Sequence, residues 1–226
     1  MRLRPRVKVC CIGSVAEARL AVAHGADALG LVAEMPSGPG VISDDRIAEI
    51  ARAVPPPVST WLLTSRTDAD GVVSHARTCG TDTVQLVDAV GPAVYAALRR
   101  ALPALRIVQV VHVEDERARS RALAGAPHVD AVLLDSGRPA EGVLGGTGET
   151  HDWALSRRIR EALDAAGTPV FLAGGLRASN VAAALAAVAP FGVDLCSGVR
   201  TAGRLDAARL GAYMDAVGGA ETVAAP

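Results

Sequence analysis

The stretch VKVCCIGSVAEARLAVAHGADALGLVA, residues 7–33, decides the fold. It opens with a short β-branched run, Val7–Ile12, crosses Gly13-Ser14 into an Ala/Leu/Arg segment, and closes on a second apolar run, Ala28–Ala33. The outer pieces have the length of strands. The middle has the length of a helix, with Ser14 placed to cap it. The same alternation continues to the end of the chain. Further strands are expected at Val58–Leu63, Thr83–Leu86, Arg106–Val111, Ala131–Asp135, Pro169–Ala173 and Gly192–Cys196. Helices are expected at Val15–His24, Asp44–Val54, Ala69–Cys79, Pro92–Ala101, Glu114–Leu123, Trp153–Ala166, Ser179–Val188 and Asp206–Val217. Strict strand–helix alternation demands a parallel sheet, and eight units of roughly 26 residues close it into an α/β (β/α)8 TIM barrel. An open doubly wound sheet is the alternative, but no G-x-G-x-x-G follows the first strand. No Pro/Ser-rich linker divides the chain, so one barrel domain is expected over residues 1–217, with a tail over 218–226.

Composition narrows the function. With 50% of its 226 residues hydrophobic and only 3% aromatic, the chain builds its core from Ala, Val, Leu and Ile. Its 23 basic and 24 acidic residues exclude a nucleic-acid surface driven by bulk positive charge. No apolar run approaches the ~20 residues that span a bilayer, and no apolar stretch follows the basic start MRLRPRVKV, so neither a membrane segment nor a signal peptide is expected. Cys10, Cys11, Cys79 and Cys196 show no C-x-x-C spacing and read as reduced thiols of a cytoplasmic protein. His24, His75, His112, His128 and His151 are scattered and read as surface or loop residues, so no metal site is expected. Lys8 is the only lysine among many arginines.

A barrel of this kind carries its active site at the C-terminal ends of its strands. On the first strand, period-2 alternation puts Lys8 and Cys10 on the barrel side and Val7, Val9 and Cys11 on the helix side. A thiol beside an ammonium is a candidate for activation, though a small buried filler is the other reading of Cys10. Asp135 ends the sixth strand, where a carboxylate is costly without a purpose or partner; it also suits a turn before Ser136-Gly137. Together Cys10 and Asp135 offer a base and an acid across one mouth. The Gly-rich ends of the seventh and eighth strands, Ala173-Gly174-Gly175 and Ser197-Gly198, suit a phosphate group, and Gly145-Gly146-Thr147-Gly148 suits a covering loop.

These residues resemble the phosphoribosylanthranilate isomerase family. KVCCIGS (8–14) is similar to its first-strand K-[IV]-C-G-[IL]-T motif, and VLLDSG (132–137), GGTGETHDW (145–153), LAGGLRASNV (172–181) and VDLCSGVRTAGRLD (193–206) follow its later motifs in order. The resemblance implies an aldose–ketose isomerase without cofactor. Such an enzyme converts N-(5-phosphoribosyl)anthranilate to the carboxyphenylamino-deoxyribulose phosphate by an Amadori rearrangement, in tryptophan biosynthesis. By resemblance Cys10 is the general base and Asp135 the general acid. Lys8, Gln85 and Asp194 then serve the substrate, and Ala173, Gly174, Gly175, Ser197 and Gly198 hold its phosphate. The implied partner is a phosphorylated small molecule, with the protein a monomer or homodimer.

The acid, the base and the phosphate loops match the family, whereas the aromatic-amine end does not. The family's glycine after the catalytic cysteine is Cys11 here, and its threonine two residues on is Gly13. The arginine of its second loop is missing from residues 35–41, MPSGPGV, and its V-Q-L-H reads Val84-Gln85-Leu86-Val87. Arg200 stands where the family has glutamate and offers a replacement cation for the anthranilate carboxylate. Two other readings follow: the same chemistry on a different N-phosphoribosyl amine in a specialised pathway, or a phosphate-binding barrel without catalysis, which would need neither Cys10 nor Asp135.

Overall fold

The computed structural model describes residues 4–36, 38–136 and 151–223. Eight parallel strands close into a barrel in sequence order, β1-β2-β3-β4-β5-β6-β7-β8, with β1 pairing β8. They run β1 Arg6–Val9, β2 Ala28–Val32, β3 Ser59–Thr64, β4 Thr83–Leu86, β5 Arg106–His112, β6 Ala131–Asp135, β7 Val170–Leu172 and β8 Gly192–Leu195. The outer ring is α1 Val15–Ala23, α2 Asp44–Ala53, α3 Ala69–Cys79, α4 Pro92–Ala101, α5 Arg117–Gly125, α6 Trp153–Asp164, α7 Val181–Val188 and α8 Ala207–Val223. Capping follows the sequence: Ser14 and Ser43 accept hydrogen bonds from the Glu17 and Arg46 amides at the starts of α1 and α2.

Alternation sorts the strand residues into two layers. Val7, Val9, Leu29, Leu31, Leu62, Val84, Leu86, Ile107, Val132, Leu134, Val170, Leu172, Val193 and Leu195 face the helices in one continuous core. Ala28, Val32, Trp61, Leu63, Val108, Val110, Ala131, Leu133 and Phe171 fill the barrel, where Trp61 and Phe171 pack edge to face with centroids 5.0 Å apart. Inside the same layer lie buried polar side chains, Lys8, Thr83, Gln85 and Asp194 among them.

The differences from expectation fall at element ends. β1 stops at Val9, three residues before Ile12, because Cys11 adopts a left-handed φ of 62° that no strand can continue through. α7 begins at Val181, two residues after Ser179, since Asn180 and Arg177 form their own turn. α5 starts later and ends later than Glu114–Leu123. α8 continues past Val217, through Gly218 and Gly219 to Val223, with Ala220 packed on the core, so these six residues are helix and not the frayed tail expected. The antiparallel pair β9 Arg200–Thr201 and β10 Arg204–Leu205 follows the eighth strand and gives no sequence signal of its own. The Gly145–Gly148 stretch and Gly137 lie outside the described residues. No described helix is long and apolar enough to cross a membrane.

Candidate active site

The strand ends place their inward side chains around one cavity at the barrel's C-terminal mouth. Cys10, Cys11, Gln85, Asp135, Asp194, Cys196 and Ser197 line it, together with Ala173, Gly174, Gly175 and Leu176 of the β7–α7 loop. Its other wall is apolar: Val32, Met35, Pro39, Leu63, Val87 and Val110. No cationic side chain lines it among the described residues.

Beneath the cavity lies a buried ion pair. Register sets Lys8 beside Asp194 on the β1–β8 seam, and Nζ meets Asp194 Oδ2 at 2.9 Å with the lysine fully buried. The Trp61 ring flanks the ammonium 5.2 Å from its centroid. Burial alone would strip the proton from Lys8, but Asp194 and Cys10 outweigh it and hold the amine above its usual value. Burial pushes the Asp194 carboxyl up against the pull of Lys8. Asp194 Oδ1 and Gln85 Oε1 have no hydrogen-bond partner among the described residues. Two buried acceptors facing one cavity require donors, and a polyhydroxylated ligand supplies them.

Cys10 is held at the rim by its backbone N–H, which donates to Leu195 O at 2.8 Å. Gly30 gives it room. A Cβ there would come 2.7 Å from Cys10 Sγ and 3.0 Å from Lys8 Nζ, so the thiol and the ammonium flank one point. Across the mouth, Asp135 Oδ1 accepts from the Ser136 N–H at 2.7 Å. Cys11 is the first correction. The expectation that alternation turns it from the axis fails because the strand has already ended. Its left-handed backbone swings the side chain into the mouth, against Gly40, whose absent Cβ would lie 2.5 Å from that of Cys11. The left-handed conformation costs a residue with a Cβ about 1 kcal/mol or more.

The Gly-rich ends behave unequally. Gly174 (φ 84°) and Gly175 (φ 59°) take left-handed conformations in the β7–α7 loop, which Asn180 braces by donating from Nδ2 to Gly175 O at 3.0 Å. Asn180 escaped sequence reading because it looked like an ordinary helix start. Gly198 lies outside the lining. It is required where it is because a Cβ would collide with the Leu176 carbonyl.

Arg200 is the second correction: it does not line the cavity. Its guanidinium is buried behind β1, 3.2 Å from Glu17 Oε1, and donates to the carbonyls of Cys10, Cys11 and Gly203. Burial alone would raise the Glu17 carboxyl. The N–H groups of Leu205 and Gly13 and the guanidinium outweigh it and hold the group below its ordinary value. Arg200→Ala should therefore lower stability by about 2 kcal/mol or more, as the loss of one partner of a largely buried pair does. A depressed carboxylate stabilises above its unfolded pKa of about 4.3 and ceases to as pH falls through the folded value. The melting-temperature gap between wild type and variant should thus be full at pH 7 and narrow below about pH 4. A gap that does not change with pH would show that Glu17 is not the partner that matters.

The histidines are the third correction. His75 and His112 are buried, and His151 packs at the β7–α7 loop, where a Cβ on Gly174 would come 3.0 Å from its Nδ1. Burial pushes the His151 imidazole down, and Nε2 bonds Ser156 Oγ at 2.7 Å. His75 also meets Asp44 and Cys79, their ligand-type atoms all within 4.8 Å of one another. Both of its ring nitrogens are engaged at 3.0 Å, by Thr64 and by Asp44. The i, i+4 spacing of His75 and Cys79 was the signal for this cluster.

Comparison with known proteins agrees with this geometry. The N-(5'-phosphoribosyl)anthranilate (PRA) isomerase family matches residues 7–216. The N-(5'-phosphoribosyl)anthranilate isomerase of Haloferax volcanii is 40% identical over 88% of this chain and 86% of its own. Among solved structures, the phosphoribosyl anthranilate isomerase of Thermus thermophilus superposes with a TM-score of 0.79 at 28% identity, covering 95% of this chain and 98% of the other. A phosphoribosyl anthranilate isomerase in complex with reduced 1-(o-carboxyphenylamino)-1-deoxyribulose 5-phosphate gives 0.76 at 27% identity, covering 95% and 99%. With a closed eight-stranded barrel, an acid and a thiol facing each other across its mouth, and a family match along nearly its whole length, the chain belongs to the N-(5'-phosphoribosyl)anthranilate isomerase family.

Proposed function

We propose that this protein isomerises N-(5'-phosphoribosyl)anthranilate to the corresponding 1-deoxyribulose 5-phosphate. The observation that carries the reading is the convergence of Cys10, Asp135 and the unpartnered Asp194 Oδ1 on one cavity. Asp135 gives its proton to the furanose ring oxygen as the C1–O bond breaks and the amine nitrogen forms an iminium with C1. Cys10 takes the proton from C2, the electron pair passes to the iminium, and the enolamine so formed relaxes to the ketone. Asp194 Oδ1 and Gln85 accept hydrogen bonds from sugar hydroxyls. The amides around Gly174, Gly175 and Ser197 hold the phosphate, with Gly198 packing the two loops together. The chemistry needs no cofactor. Four unpaired cysteines suit a reducing, cytoplasmic setting.

One observation favours a second reading, the same chemistry on another amine. The amine end is lined by Met35, Pro39, Val87 and Val110 with no cation among the described residues, and burying a carboxylate there without a partner costs several kcal/mol. Turnover followed by anthranilate fluorescence decides between them. The expected result is turnover of the anthranilate substrate with a high KM. Met35→Arg should lower that KM tenfold or more, since a hydrogen bond to a charged group contributes ~1.5–3 kcal/mol. Absence of turnover, with an uncharged N-phosphoribosyl arylamine accepted instead, would establish the second reading.

A further inference from the structure

Three thiols share one corner of the mouth, and the proposed isomerisation uses only Cys10. The β1–β8 seam explains the crowding. Val9 pairs Leu195, and Cys10 N–H donates to Leu195 O, so the next residues, Cys10 and Cys196, follow abreast. Cys11 stands one residue out of that register. All three residues line the one cavity, and Cys196 packs against the cluster that holds Cys10 and Cys11. Its left-handed backbone returns the side chain to the mouth, and hydrogen bonding toward Cys10 and Cys196 pushes its thiol up. Cys10 and Cys11 are each only 6% exposed, whereas Cys196 is half-buried and meets solvent first.

We propose that Cys11 and Cys196 form a reversible disulfide that inactivates the site when peroxide reaches the mouth. The electrostatics favour this direction. The hydrogen bond from Cys11 and the neighbouring Arg200 guanidinium hold the Cys196 thiol below its ordinary value against burial, while Cys11 is pushed up and keeps its proton. The Cys196 thiolate attacks one oxygen of hydrogen peroxide, breaking the O–O bond and releasing hydroxide, and becomes a sulfenic acid. The Cys11 sulfur then attacks that sulfur, and the S–O bond breaks. The second hydroxide leaves as water with the Cys11 proton, so two electrons have passed from the thiol pair to the peroxide. Covalent bonding brings the Cys11 sulfur to ~2.05 Å from that of Cys196 and pulls on the backbone that joins Cys11 to Cys10. A displacement of ~1 Å in a catalytic constellation costs up to 10²-fold. The loss of activity, though not the bond, rests on the assignment of Cys10 as base.

The test treats the full chain with hydrogen peroxide, blocks the remaining thiols, and maps linked peptides by mass spectrometry, beside turnover of the anthranilate substrate before and after dithiothreitol. The expected result is a Cys11–Cys196 linkage and a tenfold or larger fall in rate that dithiothreitol reverses. Cys10→Ser should still cross-link, whereas Cys11→Ser and Cys196→Ser should not. Linkage through Cys10, no linkage at all, or linkage without loss of rate would overturn the proposal. If the reduced protein turns over no anthranilate substrate, the functional reading fails, while the mass readout still decides the bond.

Discussion

Asp135→Asn and Cys10→Ser each lower kcat for the anthranilate substrate by about 10²–10⁴-fold, the usual contribution of a positioned general acid or base, and leave KM within a few-fold. Asparagine keeps the shape of the side chain and can keep the oxygen that accepts the Ser136 N–H, so the β6 end should not move. It has no acidic proton to deliver to the ring oxygen. Serine at position 10 keeps the backbone bond to Leu195, but its hydroxyl is a far poorer base than a thiolate. Steady-state kinetics on the two variants check both roles. A near-wild-type rate in either would remove that residue from the chemistry.

Lys8→Met carries the largest expected loss of stability. It leaves the Asp194 carboxylate buried with neither a cation nor, at Oδ1, any hydrogen bond, and an uncompensated buried charge costs about 3–5 kcal/mol. For a domain of this size each kcal/mol lowers the melting temperature by roughly 2–4 °C, so a fall of about 10 °C is expected in calorimetry. Substrate affinity should fall too, because the carboxyl loses the Lys8 ammonium that holds its Oδ2 at 2.9 Å and so fixes the direction of Oδ1. The double variant Lys8→Met/Asp194→Leu should recover most of the stability and none of the activity, since apolar replacement of a buried pair is often neutral. Unchanged melting of Lys8→Met would mean that the pair is not the strut described here.

The barrel was legible because its signal repeats: eight β-branched runs between eight amphipathic segments leave little choice of topology. The cavity's residues were legible in part: period-2 alternation put Lys8 and Cys10 on the barrel side, Asp135 stood out as a carboxylate ending an apolar run, and Gln85 and Asp194 came from the family resemblance. Reading failed where a strand ends. Cys11 was placed on the outer face by counting twos past Val9, and only its left-handed backbone, which a sequence does not display, reverses that. Arg200 failed differently. It looked free because its partner, Glu17, lies far off in sequence on α1, and the carbonyls it ties belong to the end of β1. Asn180 and Gly198 act through the close approach of two loops, a relation between segments with no local pattern.

The burial of the only lysine reaches beyond the active site, to the behaviour of the molecule in alkali. Ordinary proteins shed positive charge as their amines deprotonate near pH 10–11. Here the one side-chain ammonium is locked to Asp194, and the surface pairs Arg4–Asp27, Arg99–Asp130 and Arg157–Glu161 all use guanidinium, which keeps its proton above about pH 12. Among the side chains the cationic charge is therefore invariant up to about pH 12, and what titrates there is confined to thiols and the two buried tyrosines.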